Sequence, residues 1–284
     1  MSAAHARPPA RRRYGQHHLV DAGTLDAILD MAQVKADDVV LEVGAASGLL
    51  TKRLLEQARF VHAMEIDMRF AATLTALAER RDDLRAYMVD ALRYRLADLD
   101  PPPTAVVANL AYNIAIPVIM RTIAVLPEVR RWAVMVQREL GERLFAEPRT
   151  KAYSAVSVLV QLSCARDAQR PVPRTVFAPP PRVDSAFVTF DRTKVWPAEE
   201  AFALDTLVRT AFAQRRKQLM NSLDGVAARG AGALTRADVR RALETLGLPE
   251  TARPEELPPP TFVALAQELG WMRPGPGGTP EAAP

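Results

Sequence analysis

The sequence predicts an α/β protein in which helices cover a parallel sheet, followed by a small helical domain. Between Val39 and Val136, short apolar segments alternate with amphipathic ones, the order that builds a parallel sheet with helices on both faces. Past about Trp196 the short apolar segments stop, and helical periodicity continues between Gly and Pro residues. A small-residue turn at 44–48, directly after the first apolar segment, predicts a ligand-binding loop.

Each element is predicted from its own apolar pattern. The predicted strands are 39–43, 60–66, 84–89, 105–110, 132–136 and 185–190. The predicted helices of the first part are 23–33, 49–55, 67–79, 117–126, 138–145 and 154–164, and those of the second part are 199–213, 215–223, 235–246 and 259–270.

The domain organisation follows from these elements. We expect a flexible basic arm over 1–13, a ligand-binding α/β domain over 14–195, a helical domain over 196–271 and a disordered tail over 272–284. An apolar share of 49% and a charged share of 25% exclude collagen-like, mostly disordered and disulfide-framework proteins. No apolar run is long enough for a membrane span, and no apolar region typical of a secretory signal follows the basic start. The single cysteine, Cys164, fits a reducing cytoplasm.

The basic residues are clustered. The net charge is only +4, yet the pI is about 9.4. One cluster lies in the arm, and another comprises Arg209, Arg215, Arg216 and Lys217. Arginine suits bidentate phosphate contacts, so we expect the second cluster to bind a nucleic acid. A solvated surface patch is the alternative.

The turn at 44–48 carries the first chemical motif, E-x-G-x-A-x-G. Small residues here allow a ligand to approach the backbone at Gly44, and Glu65, near the end of the second strand, is placed to accept from both hydroxyls of a ribose. Leu49 stands where a dinucleotide site needs its third glycine, so the spacing favours S-adenosylmethionine (SAM). Asp90 is placed to accept from an adenine amino group. An ordinary glycine turn and a capping role for Asp90 are the alternatives.

The second motif is Asn109-Leu110-Ala111-Tyr112, at the end of the fourth predicted strand. An exocyclic amine on a base is a poor nucleophile because its lone pair is delocalised into the ring. The Asn109 side chain and the Leu110 carbonyl are able to accept both N–H bonds and localise that lone pair, while Tyr112 provides a stacking face. The alternatives are a strand cap for Asn109 and ordinary packing for Tyr112.

These motifs belong to a longer series. From about Tyr14 to Leu269 the chain resembles the KsgA family of ribosomal RNA adenine N6,N6-dimethyltransferases. The matching stretches are YGQHHLVD (14–21), VLEVGAASG (40–48), EID (65–67), NLAYNIAIP (109–117), VQRELGERL (136–144), FAPPPRVDSAF (177–187), AFAQRRKQLMNSL (211–223) and RPEEL (253–257). The resemblance implies a Rossmann-like class I SAM-dependent methyltransferase domain and a small C-terminal helical domain for RNA recognition.

The resemblance also implies roles for individual residues. The expected cofactor is SAM, and the residues that would bind it are Gln16, His17, Leu19, Gly44, Glu65, Asp90 and Asn109. Asn109 and Tyr112 take the target-base role, and Phe177 would stack on the adenine from the other side, unless it only anchors its proline-rich loop. We expect no metal site at His17 and His18, since the chain has few other histidines.

Three positions depart from the family pattern. His17 replaces the usual Asn, Ala46 replaces the middle glycine of the first motif, and Ala111 replaces the proline of N-L-P-Y. The Ala46 methyl group would crowd a ligand unless the turn relaxes. Loss of proline at 111 loosens the loop but keeps its carbonyl. These changes put catalytic efficiency in doubt more than fold or ligand class.

The implied function is dimethylation of two adjacent adenosines near the 3′ end of 16S ribosomal RNA, with a role in subunit biogenesis. The expected partner is that RNA in a pre-30S or 30S particle, bound by a cytoplasmic monomer. One alternative is the macrolide-resistance type of enzyme, which modifies 23S ribosomal RNA. Another is an assembly factor that binds RNA but has lost methyl transfer. A nicotinamide oxidoreductase would need the glycine that is missing at position 49.

Overall fold

The computed structural model describes residues 18–19, 21–227 and 232–273. The predicted basic arm, Gln16, His17 and all but two residues of the predicted tail lie outside the described residues. Contacts divide the described residues into two compact units, one from those within 1–142 and 164–193, the other from those within 143–163 and 194–284.

The first unit is built on a seven-stranded sheet, which confirms the predicted α/β class. Its strands are β2 (Val39–Val43), β3 (Phe60–Glu65), β4 (Leu84–Met88), β5 (Ala105–Asn109), β6 (Arg131–Gln137), β7 (Cys164–Val172) and β9 (Ser185–Arg192). Their order is β4-β3-β2-β5-β6-β9-β7. The first five run parallel, and β9 is antiparallel to both of its neighbours. Two short strands, β1 (His18–Leu19) and β8 (Phe177–Ala178), form a separate antiparallel pair.

Helices α2 (Leu49–Leu54), α3 (Ala71–Ala78) and α4 (Ala115–Val125) connect parallel strands. Helix α1 (Ala22–Ala32) precedes β2, and helix α5 (Arg138–Leu144) follows β6. The start of α1 is capped by the Asp21 carboxylate, which accepts from the backbone N–H of Thr24 at 2.6 Å. Leu25, Ile28 and Leu29 of this helix are buried in the core. Every residue of β2 is buried, as expected for a central strand covered on both faces.

The second unit is helical. It contains α6 (Ala155–Gln161), α7 (Ala198–Ala213), α8 (Leu219–Ser222), α9 (Arg236–Thr245) and α10 (Pro259–Glu268). Within this unit α6 packs against α7 and α10, and the Tyr153 hydroxyl donates to the Leu257 carbonyl at 2.6 Å. In the part of the chain that is described, no helix is both long and apolar enough to cross a membrane.

The structure differs from the predicted elements at four places. The predicted first domain is continuous over 14–195, whereas residues 143–163 pack with the C-terminal helices. The sequence could not show this, because the apolar face of a helix does not indicate which part of the chain it packs against. Strand β7 was not predicted because its side chains are mostly exposed and lack alternation, as an edge strand allows. Of the helix predicted over 215–223, only Leu219–Ser222 is helical. Met272, which was expected in the disordered tail, is buried.

Candidate active site

The carboxyl ends of the parallel strands border a cavity of about 360 Å³ within the first unit. This volume is in the range of small-molecule sites. Most of the predicted site residues line it together, namely Leu19, Gly44, Glu65, Asp90, Asn109, Tyr112 and Phe177. Gln16 and His17, predicted to bind the cofactor, lie outside the described residues.

The loop after β2 brings its backbone close to the end of β5. Gly44 has a φ of 86°, and a Cβ there would lie 3.5 Å from the Asn109 carbonyl oxygen. Ala46 also takes a left-handed conformation, with a φ of 47°. A side chain is rarely found in this region, so Ala46 carries a strain that the family's usual glycine would not.

The amides of this loop are used inside the protein. Gly44 and Ala45 donate to the Met64 carbonyl at 2.8 and 3.1 Å, Gly48 donates to the Ala45 carbonyl at 2.8 Å, and Ala46 donates to Glu65 Oε2 at 2.8 Å. A pyrophosphate needs such amides to point at the ligand. The loop therefore suits a nucleoside cofactor better than a dinucleotide.

The charges that line the cavity lead to the same conclusion. Its titratable acids are Glu42, Glu65 and Asp90, and none of its lining residues in the described chain is Lys, Arg or His. An acidic lining disfavours phosphates and favours a cation. SAM carries a ribose, an ammonium group, a sulfonium group and one carboxylate, so it has a net positive charge and no phosphate, and these residues fit it.

Glu65 has acceptor capacity left for a ribose. It is 4% exposed, and its Oε1 accepts from the Asp67 N–H at 2.8 Å while Oε2 accepts from Ala46. A carboxylate offers about four acceptor positions, and Ile66 supplies a further backbone hydrogen bond, so at least one position remains for a ribose hydroxyl. Burial raises the pKa of this carboxyl, and its backbone hydrogen bonds oppose that rise.

Asp90 both caps a turn and lines the cavity. Its Oδ1 accepts from the Leu92 N–H at 2.9 Å, and its carbonyl accepts from Arg93 and Tyr94 at 2.9 Å each, so it caps the turn that follows β4. The residue also lines the cavity, which is compatible with the predicted contact to an adenine amino group.

The target-base motif lies on the neighbouring strand end. Asn109 ends β5, and Leu110 and Tyr112 follow it along the cavity wall. The Tyr112 hydroxyl lies 2.8 Å from Ser185 Oγ, a fully buried hydroxyl at the start of β9. Burial raises the pKa of Tyr112, so the ring stays neutral at physiological pH.

Phe177 is held beside Leu19 by strand pairing. The two residues are direct partners in the β1–β8 pair, and both line the cavity. Phe177 is 4% exposed. The pairing accounts for how two motifs far apart in the sequence meet, and it is compatible with both the stacking role and the anchoring role.

The basic cluster of the second unit is divided by its contacts. Arg215 donates to Glu255 Oε2 at 2.5 Å and to the carbonyls of Lys151 and Thr150 at 2.8 and 2.9 Å. It therefore ties three chain segments of this unit together, a structural role that the sequence did not reveal. Arg209 pairs with Asp205 one helical turn away, whereas Arg216 and Lys217 are exposed.

Two residues of the site were assigned no role by the sequence analysis. Glu42, the first residue of the E-x-G-x-A-x-G motif, lines the cavity from near the end of β2, and Ser185 contacts Tyr112. Besides the motif, the signal for Glu42 was a single acid in an otherwise apolar strand, where burying a charge is costly. Ser185 had no local signal, because its role depends on a contact 73 positions away in the chain.

Comparison with known proteins points to one family. Residues 8–243 match the family model described as ribosomal RNA adenine dimethylase. The chain is similar to ribosomal RNA small subunit methyltransferase A of Rubrobacter xylanophilus, with 40% identity covering 92% of this chain and 96% of that protein. It is also similar to the protein of the same name from Thermobifida fusca, with 43% identity covering 84% and 87% of the two chains.

Solved structures agree on the fold. A dimethyladenosine transferase from Plasmodium falciparum superposes with a TM-score of 0.73 and 27% identity, covering 89% of this chain and 98% of that one. The 23S rRNA methyltransferase ErmE superposes with a TM-score of 0.63 and 25% identity, covering 89% and 99%. The predicted Rossmann-like methyltransferase fold and the predicted family are both confirmed. The chain belongs to the ribosomal RNA adenine dimethylase family.

Proposed function

We propose that this enzyme transfers methyl groups from SAM to the N6 amines of two adjacent adenosines near the 3′ end of 16S ribosomal RNA. The observation that carries the proposal is the meeting of two sites in one cavity: an acidic, phosphate-excluding cofactor pocket and the Asn109–Tyr112 edge beside it. The name of the curated relatives, small subunit methyltransferase A, supports the choice of RNA.

SAM is the cofactor, and when bound it supplies an electrophilic methyl group. Glu65 holds the ribose through acceptor positions that its backbone hydrogen bonds leave available. Asp90 accepts from the adenine amino group, and Gly44 lets the ligand approach the backbone. We assign Leu19 and Asn109 to the same cofactor, together with Gln16 and His17.

The target amine is activated by placement. The Asn109 side-chain oxygen and the Leu110 carbonyl accept its two N–H bonds, which concentrates the lone pair on nitrogen. Tyr112 stacks on the base, and Phe177 covers its other face. A strong general base is not required, because the methyl donor is already reactive and the amine needs mainly alignment.

The partner is assigned at two levels. RNA is the substrate of the family; the finer assignment, 16S RNA within a pre-30S or 30S particle, is our proposal. We assign RNA recognition to the helical residues 196–271, with Arg216 and Lys217 as exposed phosphate contacts beside Arg209. We further propose that the enzyme acts as a monomer in the cytoplasm.

Two other functions have an observation in their favour. The likeness to ErmE supports methylation of 23S RNA, although the curated relatives described above are named for the small subunit. The strained turn at Ala46 and the alanine at 111 favour an assembly factor with reduced transfer.

The deciding experiment incubates the purified protein and isotope-labelled SAM with 30S or 50S particles that lack the modification. We expect N6,N6-dimethyladenosine in 16S RNA only, detected by mass spectrometry of nuclease fragments. Asn109→Ala should lower the rate by about 100-fold or more, the scale for one aligned polar group at a reacting centre. Modification of 23S RNA would favour the ErmE-like activity. Binding of SAM and 30S particles without transfer would favour the assembly factor.

A further inference from the structure

The connection between β7 and β9 carries one wall of the cavity. The ladder between these strands ends at the pair Val172–Ser185, and residues 173–184 leave the sheet before they return to it. Phe177 of this connection lines the cavity, and Ser185, where the connection ends, contacts the cavity residue Tyr112. The two rings assigned to the base are therefore joined through this connection, and their separation depends on how it is closed.

One side chain bridges the connection. Arg174 begins the single helical turn Arg174–Val176, directly before Phe177. Its Nη1 donates to the Arg182 carbonyl at 3.1 Å, and its Nε lies 2.9 Å from Asp184 Oδ1. A guanidinium group is planar and rigid, so two simultaneous contacts hold the two sides of the connection in one geometry.

Both ends of this bridge lead directly to a ring. On one side, the Phe177 N–H donates to the Arg174 carbonyl, so the backbone that carries the phenyl ring follows Arg174 closely. On the other side, Asp184 precedes Ser185, whose Oγ lies 2.8 Å from the Tyr112 hydroxyl. A displacement of the bridge would therefore change the distance between the two rings.

The bridge contributes little to folding. The side chains of Arg174 and Asp184 are 50% and 42% exposed, and ion pairs with this exposure stabilise a protein only slightly. The ladder between β7 and β9 and the β1–β8 pair hold this part of the chain without it. Such a bridge is better suited to setting a distance than to holding the fold together.

We propose that Arg174 is a positioning residue that sets the separation of the Phe177 and Tyr112 rings, between which the target adenine is received. The inference rests on the proposed function, since that function supplies the adenine. Arg174 does not line the cavity, so it acts on the base only through the two rings. A change in their separation would move the amine away from Asn109 and from the methyl donor, and this reaction depends mainly on alignment.

The test compares Arg174→Ala with Arg182→Ala in steady-state methyl transfer by the full chain to 30S particles that lack the modification. Arg182→Ala removes an equal charge from the same connection but keeps the backbone carbonyl that accepts from Arg174. A misplacement of about 1 Å is able to cost about 100-fold in rate, and the remaining ladder limits the movement, so Arg174→Ala should lower kcat about 10-fold. The KM for particles and the affinity for SAM should not change. Arg182→Ala should retain the wild-type kcat, and Arg174→Lys, which keeps a charge opposite Asp184, should recover part of the loss.

Two further measurements separate positioning from a role in the fold. The melting temperature of Arg174→Ala should lie within about 3 °C of the wild-type value, because the bridge is half exposed. If Arg174 acts through the rings, adding Arg174→Ala to Phe177→Leu should lower kcat by less than about 2-fold further.

An unchanged kcat in Arg174→Ala, or losses that multiply in the double variant, would overturn the inference and leave the proposed function intact. A much larger fall in melting temperature would assign Arg174 to the fold instead. A raised KM at unchanged kcat, with the salt dependence of particle binding flattened by roughly 0.7–0.9, would identify Arg174 as a phosphate contact and also overturn the inference. A wild type that modifies neither 30S nor 50S particles would refute the proposed function, and the inference with it.

Discussion

Arg215 allows a structural role to be separated from RNA binding. In Arg215→Ala the ion pair to Glu255 and the hydrogen bonds to the carbonyls of Thr150 and Lys151 are lost together. Hydrogen bonds to a charged group contribute about 1.5–3 kcal/mol each when well protected. The two side chains of the ion pair are 35% and 24% exposed, so solvent screens part of this. We expect a total loss of about 2–3 kcal/mol in the free energy of unfolding.

The matched control is the next residue. Arg216→Ala removes the same side chain from an exposed position and should change stability by less than about 0.5 kcal/mol. Thermal unfolding should show a melting temperature lowered by about 4–10 °C for Arg215→Ala alone. Binding of 30S particles should instead change for Arg216→Ala. The plot of the logarithm of the binding constant against the logarithm of the salt concentration should become flatter by roughly 0.7–0.9. Equal stability of the two variants would refute the structural role of Arg215.

Three further predictions concern the first unit. Ser185→Ala should lower the rate of methyl transfer several-fold without changing the SAM affinity, because the Ser185 hydroxyl contacts Tyr112. In the double variant, Tyr112→Phe should cause little further loss of rate. Additive losses in steady-state kinetics would show that the two residues act independently. Burial lowers the pKa of His62, whose Nε2–H donates to the Pro101 carbonyl at 2.8 Å. Its folded pKa lies below the unfolded value of 6.5, so the free energy of unfolding should fall as pH decreases below about 6.5, and in His62→Gln this dependence should weaken. Ala46→Gly should raise stability by about 1 kcal/mol in urea unfolding, because glycine adopts the left-handed conformation without strain; no gain would contradict the strain.

The sequence predicted the buried strands and the edge of the sheet where the site lies, because both follow from regular patterns of apolar residues. Strand β2 and strand β5 were predicted with nearly their observed bounds, because buried parallel strands are continuous apolar runs. The convergence of Glu65 and Asn109 on one edge followed from the rule that ligands bind where parallel strands end. These inferences need only the periodicity of the chain and its turns.

What the sequence did not reveal depends on long-range contacts. Arg215 and Arg216 are neighbours in the same basic segment, yet Arg215 is bound by Glu255 whereas Arg216 is exposed. The ionisation of Glu42 depends on the apolar surroundings and on Glu65, which is supplied by a neighbouring strand. A local pattern identifies a residue type, whereas its electrostatic environment is set by groups that only the fold brings near.

The reversed direction of β9 has a consequence for how this architecture can diversify. Its first residue, Ser185, pairs with Gln137 at the end of β6, so the connection from β8 arrives at the edge where the parallel strands terminate. The cofactor loops leave β2 and β3, on the other side of β5. Residues 179–184 lie outside the cavity lining, so insertions or exchanges there can alter this edge without disturbing the strands from which the cofactor loops leave. Under the proposed function, the acceptor side of the domain can therefore vary in sequence while the donor side is retained.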